Sequence, residues 1–150
     1  MRVFHGVEEV RQAVGTRLGY SGWHAVTQEQ IDAFAQATGD HQWIHVDPDK
    51  AARGPFGSTI AHGYLTLSLV SMLAGRVYRV DGLKMTINYG ADKLRFPSPV
   101  PVGSRVRAGV ELLSLTPRRG GHLLKAGVTV EREGGGKPAC VVERLSVLVP

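Results

Sequence analysis

The pattern of apolar and polar residues changes character near the middle of the chain. From about Ile60 to Tyr78 apolar residues dominate with little alternation, which predicts a helix that is buried on most of its sides. After the Asp81-Gly82 pair the chain alternates or is rich in β-branched residues, and Pro- and Gly-rich turns interrupt it. Such a pattern predicts antiparallel strands joined by hairpins. The four predicted strands span residues 84–96, 104–115, 122–133 and 138–149.

Shorter elements are predicted before this helix. Apolar spacing predicts a helix over residues 7–14, and residues 20–26 are predicted to form a strand or an extended arm. Thr27 and Gln30 form a capping-box pattern, in which Thr27 caps the next helix and the Gln30 side chain reaches back to it. Gly39 stands where a glycine often ends a helix.

The order of the predicted elements indicates the fold class. The Asp47-Pro48 pair predicts the start of one more short helix, with Asp47 as its cap. One very apolar helix followed by four long strands predicts an α+β fold, in which an antiparallel sheet wraps around the helix. No repeat or low-complexity linker interrupts the sequence, and we therefore expect a single domain over residues 1–150.

The composition of the chain indicates the cellular compartment in which we expect the protein. The chain has no apolar run long enough for a membrane helix, and its N-terminus lacks the apolar stretch of a signal peptide. The single cysteine, Cys140, has no partner for an internal disulfide, which favours a reducing compartment. Its apolar setting predicts a small core residue. We therefore expect a cytoplasmic protein that does not contact a membrane.

The basic residues do not indicate a nucleic-acid binder. The formal net charge is +5, but the basic residues are scattered and Arg118-Arg119 is the only adjacent basic pair. Nucleic-acid binders usually carry a dense basic cluster with stacking aromatic residues. A dispersed positive surface suits a polyphosphorylated small ligand equally well. His5, His24 and His122 have no partner in the sequence, and we expect them at the surface.

The residue types that acid–base chemistry needs lie between residues 38 and 63. Asp40 precedes His45 by five residues, in a predicted short turn after a helix. A water molecule held between a carboxylate and an imidazole can be activated by one group and exchange a proton with the other. The structural alternative is that Asp40 caps a turn and that His45 is a loop histidine with no chemical role.

A second candidate element is the start of the apolar helix. Gly63 can leave its backbone N–H free there, where the helix dipole helps to stabilise negative charge on a thioester oxygen. Ser71, two turns further along, could place a hydroxyl near an acyl chain. The structural alternatives are that Gly63 permits close packing and that Ser71 bonds a carbonyl one turn earlier.

A metal site is a further alternative. His41 and His45 are four residues apart, with Asp40 and Asp47 beside them and His62 as a possible extra ligand. On a continuous helix this spacing would place both histidines on one face. The glycine before the segment and the proline after it argue against a continuous helix, and we therefore predict no metal.

Several of these motifs together resemble a known family. Thr38-Gly39-Asp40 followed by His45-Val46-Asp47-Pro48 is similar to the motif of the MaoC-like dehydratases, the (R)-specific enoyl-CoA hydratases of the hot-dog fold. The segment 60–65 resembles the start of that family's central helix, and the segment 95–103 resembles its strand-turn element. The resemblance covers roughly residues 27–110.

The resemblance implies a function and a set of roles. Asp40 and His45 would be the catalytic dyad, and the Gly63 N–H would form the oxyanion hole. Ser71 would supply a pocket hydroxyl, with His62 as another substrate-binding candidate. The reaction would be reversible hydration of a trans-2-enoyl-CoA in fatty acid metabolism, without a metal or a redox cofactor. Where the family usually carries Asn-Pro, this chain has Gln42 and Trp43, which we expect to reshape the substrate pocket.

Two other functions remain possible for a hot-dog chain. A thioesterase would use a carboxylate and a helix N-terminus to cleave the thioester, although the Asp-to-His spacing argues against it. A non-catalytic acyl-CoA-binding partner subunit would have no need for the intact pair. A single sheet around one helix also leaves a strand edge and apolar surface uncovered, which predicts a homodimer.

Overall fold

A six-stranded antiparallel sheet and five helices make up the computed structural model, which describes residues 1–150. The sheet is flanked by a separate two-stranded parallel pair. None of the helices has the length and apolarity to cross a membrane. The helices are α1 Val7–Gln12, α2 Gln28–Thr38, α3 Trp43–Val46, α4 Pro48–Ala52 and α5 Gly63–Gly75. The strands are β1 Arg2–His5, β2 Arg17–Tyr20, β3 His24–Ala25, β4 Tyr78–Asp81, β5 Met85–Arg95, β6 Arg105–Arg118, β7 Gly121–Arg132 and β8 Cys140–Val149.

The large sheet has the strand order β2-β6-β7-β8-β5, and β3 pairs with β6 beside β2. All neighbours in it are antiparallel, which confirms the predicted sheet. The hairpin between β6 and β7 is tighter than predicted, because Arg118 still pairs with Gly121 and only two residues form the turn. Pro117 is tolerated in the strand because β2 pairs with β6 only as far as Glu111, which leaves that part of β6 without a second neighbour.

The sheet packs its inward-facing residues against α5. Leu73 of α5 is fully buried, and along β6 every second residue from Val106 to Leu112 is buried as well. This alternation places one face of the sheet on the helix and leaves the other face to solvent. The helix is shorter than the predicted 60–78. Ile60 is extended and bridges to Pro101, so the helix begins only at Gly63.

The N-terminal region contains strands that the pattern did not predict. β1 pairs in parallel with β4 and buries Phe4 against the core. The range 20–26, predicted as a strand or an extended arm, contains the last residue of β2 and the two-residue strand β3. Between them, Ser21 is buried and accepts a hydrogen bond from the Ala108 N–H. The pairing of β1 with β4 depends on residues far apart in the chain, which local periodicity does not report.

Three local predictions need correction. The Thr27 hydroxyl caps α2, but the Gln30 side chain bonds His24 at 3.1 Å and does not reach back to Thr27. His24 is therefore half-buried and partnered, whereas a surface position was predicted. His122 is also half-buried, and its Nδ1 is enclosed without a hydrogen-bond partner. His5 is exposed, and Cys140 is buried in β8.

One edge of the sheet is open. β5 is the last strand in the order, and nearly all of its residues are exposed. They include large apolar side chains: Met85 is 53% exposed, Ile87 46% and Tyr89 56%. An apolar edge strand with unpaired backbone groups is a ready surface for strand pairing.

Candidate active site

The turn after α2 places Asp40 at the surface next to a buried histidine. Gly39 adopts a left-handed conformation with φ of 80° and ends α2. The Asp40 carboxylate then accepts a hydrogen bond from the Gln42 N–H at 3.3 Å, which is the turn-capping role of the structural alternative. The single helical turn α3 follows where a simple turn was predicted. It directs His45 inward, so that only 6% of this residue is exposed.

A backbone carbonyl determines which nitrogen of His45 is available. Nδ1 lies 2.7 Å from the carbonyl oxygen of Ile60, which can only accept, so Nδ1 carries the proton and donates it. In the neutral ring the lone pair is therefore on Nε2. Burial lowers the pKa of His45 from 6.5, the neighbouring His62 lowers it further, and the Ile60 carbonyl and Asp40 act in the opposite direction. The neutral, proton-accepting form is favoured at neutral pH.

Two residues that the sequence analysis did not single out hold His45 in place. The Gln28 side chain donates a hydrogen bond to the His45 carbonyl at 2.8 Å. The Thr59 hydroxyl in turn donates to the Gln28 side-chain oxygen. These bonds join the first turn of α2 to the segment before α5. Glutamine at the start of a helix has no distinctive pattern, so only the fold reveals this support.

His62 lies directly against both members of the pair. Its ring stacks on that of His45 with centroids 3.8 Å apart and planes 23° apart, and Phe34 lies 4.9 Å away on centroid distance. Its Nε2 donates to the Asp40 carbonyl oxygen at 2.9 Å. The ring is almost fully buried, and its Nδ1 has no partner. His62 therefore connects the backbone of Asp40 with the ring of His45.

Gly63 begins α5 beside this group. Its N–H forms no hydrogen bond within the chain, as the opening position of a helix allows. A Cβ built on Gly63 would lie 2.9 Å from the Phe96 ring, so a side chain at this position would displace Phe96 or the helix. The glycine thus provides close packing, as the structural alternative requires, and also a free N–H at the positive end of the helix dipole.

The geometry of the three polar side chains does not suit a shared metal ion. Ligand atoms of Asp40, His45 and His62 lie within 4.8 Å of one another. However, stacked and nearly parallel rings direct their lone pairs along parallel planes, whereas zinc needs them to converge at about 2.0–2.1 Å from one point. His41 is exposed and outside this group, and Asp47 caps α4 by accepting from the Lys50 N–H.

The remaining predicted site residues lie apart from this group. The Trp43 ring packs against Gly54, with the Lys50 ammonium 4.8 Å from its centroid. The Gln42 side chain is exposed, and only its backbone contacts Asp40. Ser71 lies further along α5 in a cleft against β5 and forms no hydrogen bond. The bond to a carbonyl one turn earlier is made instead by Ser68.

Comparisons with known proteins agree with this architecture. The MaoC-like domain family matches residues 9–133. The chain is 52% identical over 146 residues to 3-hydroxyacyl-thioester dehydratase Z of Mycobacterium tuberculosis, which covers 97% of each chain. It is 46% identical to nodulation protein N of Rhizobium leguminosarum, over 93% of this chain and 89% of that one.

A solved structure shows the same fold. The (R)-hydratase of A. caviae involved in PHA biosynthesis superimposes with a TM-score of 0.72 at 30% identity, over 91% of this chain and 96% of that chain. The α+β arrangement, with its antiparallel sheet around α5, is the hot-dog fold. Several of the matched relatives are named as dehydratases or hydratases, which are hydro-lyases. From its fold, its sequence and its relatives, this chain is an enzyme of the dehydratase–hydratase type and belongs to the MaoC-like domain family.

Proposed function

We propose that this chain catalyses the reversible, (R)-specific hydration of a trans-2-enoyl-CoA to the (R)-3-hydroxyacyl-CoA, as one domain over residues 1–150. The observation that carries the proposal is the buried His45 imidazole, whose Nδ1 donates to the Ile60 carbonyl, with a carboxylate oxygen of Asp40 within 4.8 Å of one of its ring nitrogens. The free Gly63 N–H adjoins this pair in the fold. These are the groups that addition of water to a conjugated thioester requires.

The first part of the mechanism is polarisation of the substrate. The thioester carbonyl oxygen accepts a hydrogen bond from the Gly63 N–H, and the dipole of α5 favours the negative charge that develops there. Electron density is drawn from the double bond toward this oxygen, which leaves Cβ open to attack. Phe96 shields the same N–H from the side that a Cβ of residue 63 would occupy.

The second part is proton transfer. A water molecule bound between Asp40 and His45 attacks Cβ while the His45 Nε2 accepts its proton. Asp40 orients the water and stabilises the imidazolium that forms. The imidazolium then returns the proton to Cα, so that oxygen is added at Cβ, hydrogen is added at Cα and both side chains recover their starting states. The reverse sequence is the dehydration.

Crotonyl-CoA provides the test of this proposal. We expect the enoyl-thioester absorbance to fall without release of free thiol, and the product to be the (R)-isomer on a chiral column. Asp40→Asn and His45→Gln should each lower kcat by about 10²–10⁴-fold, the usual contribution of a positioned acid or base. His41→Gln is the matched control, because this exposed histidine lies outside the site.

The outcomes separate the competing functions. Thiol release without alkene loss would indicate a thioesterase, and no turnover of crotonyl-CoA or longer enoyl chains would favour a non-catalytic acyl-CoA-binding subunit. Activity that survives in both dyad variants would refute the assigned roles. Equal losses in the His41→Gln control would point to a general effect on folding.

We further propose that the chain forms a homodimer through β5. The exposed apolar side chains of Met85, Ile87 and Tyr89 and the open backbone edge would both be covered by a second copy. Light scattering should give twice the chain mass for the native protein. Ile87→Lys should shift the equilibrium toward the monomer, because it places a charge in the apolar edge. A native protein at monomer mass would refute the proposal.

A further inference from the structure

A row of residues leads along α5 from the proposed oxyanion site into a cleft. Gly63, Leu67 and Ser71 are spaced four residues apart, so they form one ridge of the helix that extends about 12 Å from its start. Phe96 of the segment after β5 contacts Gly63 at one end. At the other end Leu67 and Ser71 line a cleft of about 570 Å³ between the helix and strands β5 and β8.

An arginine occupies an inward-facing position of β8 in this cleft. Arg144 pairs with Ala126 across the sheet, and its same-face neighbours Val142 and Ser146 are both buried. The other strand residues that line the cleft are uncharged, and Asn88 is the one among them with a polar amide side chain. Arg144 itself is half-buried, and hydrogen bonds or an opposite charge must replace the part of its hydration that is lost.

Compensation for Arg144 within the chain is incomplete. The guanidinium donates one hydrogen bond, to the Asn88 side-chain oxygen at 3.2 Å. It has no carboxylate partner, although seven other basic residues of the chain do. The exposed Ser71 lines the same cleft, and its hydroxyl has no hydrogen-bond partner within the chain. The cleft thus presents several donors and no anion.

We propose that this cleft binds the far end of the acyl chain and that Arg144 recognises a carboxylate there. The proposal rests on the proposed function, since it assigns the substrate class of the same site. The substrate would be a 2-enoyl thioester of medium length with a terminal carboxylate. Guanidinium binds a carboxylate through two parallel hydrogen bonds, and the Ser71 hydroxyl can donate a third. An unsubstituted alkyl end would leave the half-buried guanidinium with the Asn88 side chain as its one acceptor within the chain.

The kinetic test compares two substrates of equal length. We expect trans-2-decenedioyl-CoA, which ends in a carboxylate, to exceed trans-2-decenoyl-CoA in kcat/KM by about tenfold or more, as expected for hydrogen bonds to a charged group. Arg144→Met should lower this ratio of kcat/KM values to one or below, because the methionine keeps an apolar stem without the charge. Arg119→Met, an exposed arginine of the β6–β7 turn, should leave the ratio unchanged.

A binding measurement separates this proposal from the proposed function. Calorimetric titration with the saturated decanedioyl-CoA and decanoyl-CoA requires no turnover, and the first should bind about tenfold tighter or more. A preference for decanedioyl-CoA in binding would support the role of Arg144 even if no enoyl thioester were hydrated. A failure of hydration would refute the proposed function only. Arg144→Lys, which keeps the charge but loses the planar fork, covers the case in which Arg144→Met does not fold.

Three results would overturn the assignment. The first is a wild-type protein that prefers the uncharged chain in both experiments. The second is an Arg144→Met ratio equal to that of the wild type. The third is an Arg144→Met protein that is folded but monomeric while the wild type is dimeric, because the guanidinium would then serve the contact between subunits.

Discussion

Replacing His62 with phenylalanine tests whether the second histidine positions the first pair. Phenylalanine keeps a ring to stack on His45 but removes the 2.9 Å hydrogen bond from Nε2 to the Asp40 carbonyl. The bond contributes about 0.5–1.5 kcal/mol to the free energy of unfolding. In a domain of this size, each kcal/mol lost lowers Tm by about 2–4 °C. Asp40 then retains two longer contacts, from the Gln42 N–H to its carboxylate at 3.3 Å and from its own N–H to the Thr38 hydroxyl at 3.5 Å.

The effect on activity should exceed the effect on stability. A displacement of about 1 Å in a reacting group can lower kcat by about 10²-fold, and we expect a loss of this size in His62→Phe with little change in KM. His62→Gln is the matched variant, because its amide can still donate to the carbonyl. It should recover most of the lost kcat with crotonyl-CoA. A His62→Phe enzyme with wild-type kcat, or equal losses in both variants, would refute the reasoning.

Three further predictions follow from the site and the core. Gly63→Ala should lower kcat with crotonyl-CoA by about tenfold or more, because the added methyl group overpacks against Phe96 and shifts the Gly63 N–H. Adding Phe96→Ala to this variant should restore part of the lost kcat. A rise in activity on Gly63→Ala would contradict the role of this N–H. Because the pKa of His45 is lowered when folded, its contribution to stability is present above pH 6.5 and declines as pH falls below that value. Thermal unfolding between pH 5 and 8 should show this decline, and His45→Gln should flatten it. Burial raises the pKa of Cys140 to about 11, so iodoacetamide should label it at neutral pH only after denaturation.

The sequence predicted the parts of the fold that have a local signature. The helix predicted from the apolar stretch and the strands predicted from the alternation are present as α5, β6 and β7, but their first and last residues differ from the prediction. The pairing of β1 with β4 was missed, because it joins segments far apart in the chain and has no periodic pattern of its own. The end of α5 at Gly75 was also missed, since the apolar Val77 and Tyr78 follow it in the connection to β4 and in β4 itself.

In the candidate site, too, the local features could be predicted from the sequence and the contacts between distant segments could not. The spacing from Asp40 to His45 and the glycine at the start of α5 could be seen in the sequence, because each is a local pattern. The stacking of His62 on His45 and the support from Gln28 depend on how α2 meets the segment before α5. The inward position of Arg144 depends on the strand register, which pairs it with Ala126 of β7. No local pattern reports these relations.

The strand order of the large sheet also constrains how quickly it can assemble. The β6–β7 hairpin closes through a turn of two residues, which is an event of microseconds. The edge strand β5 must instead wait for β8, since Met85 pairs with Val149. Closing that long loop costs chain entropy before any contact compensates it, and such distant pairings slow folding. The strand that borders the proposed acyl-binding cleft is therefore expected to join the sheet after the β6–β7 hairpin has formed.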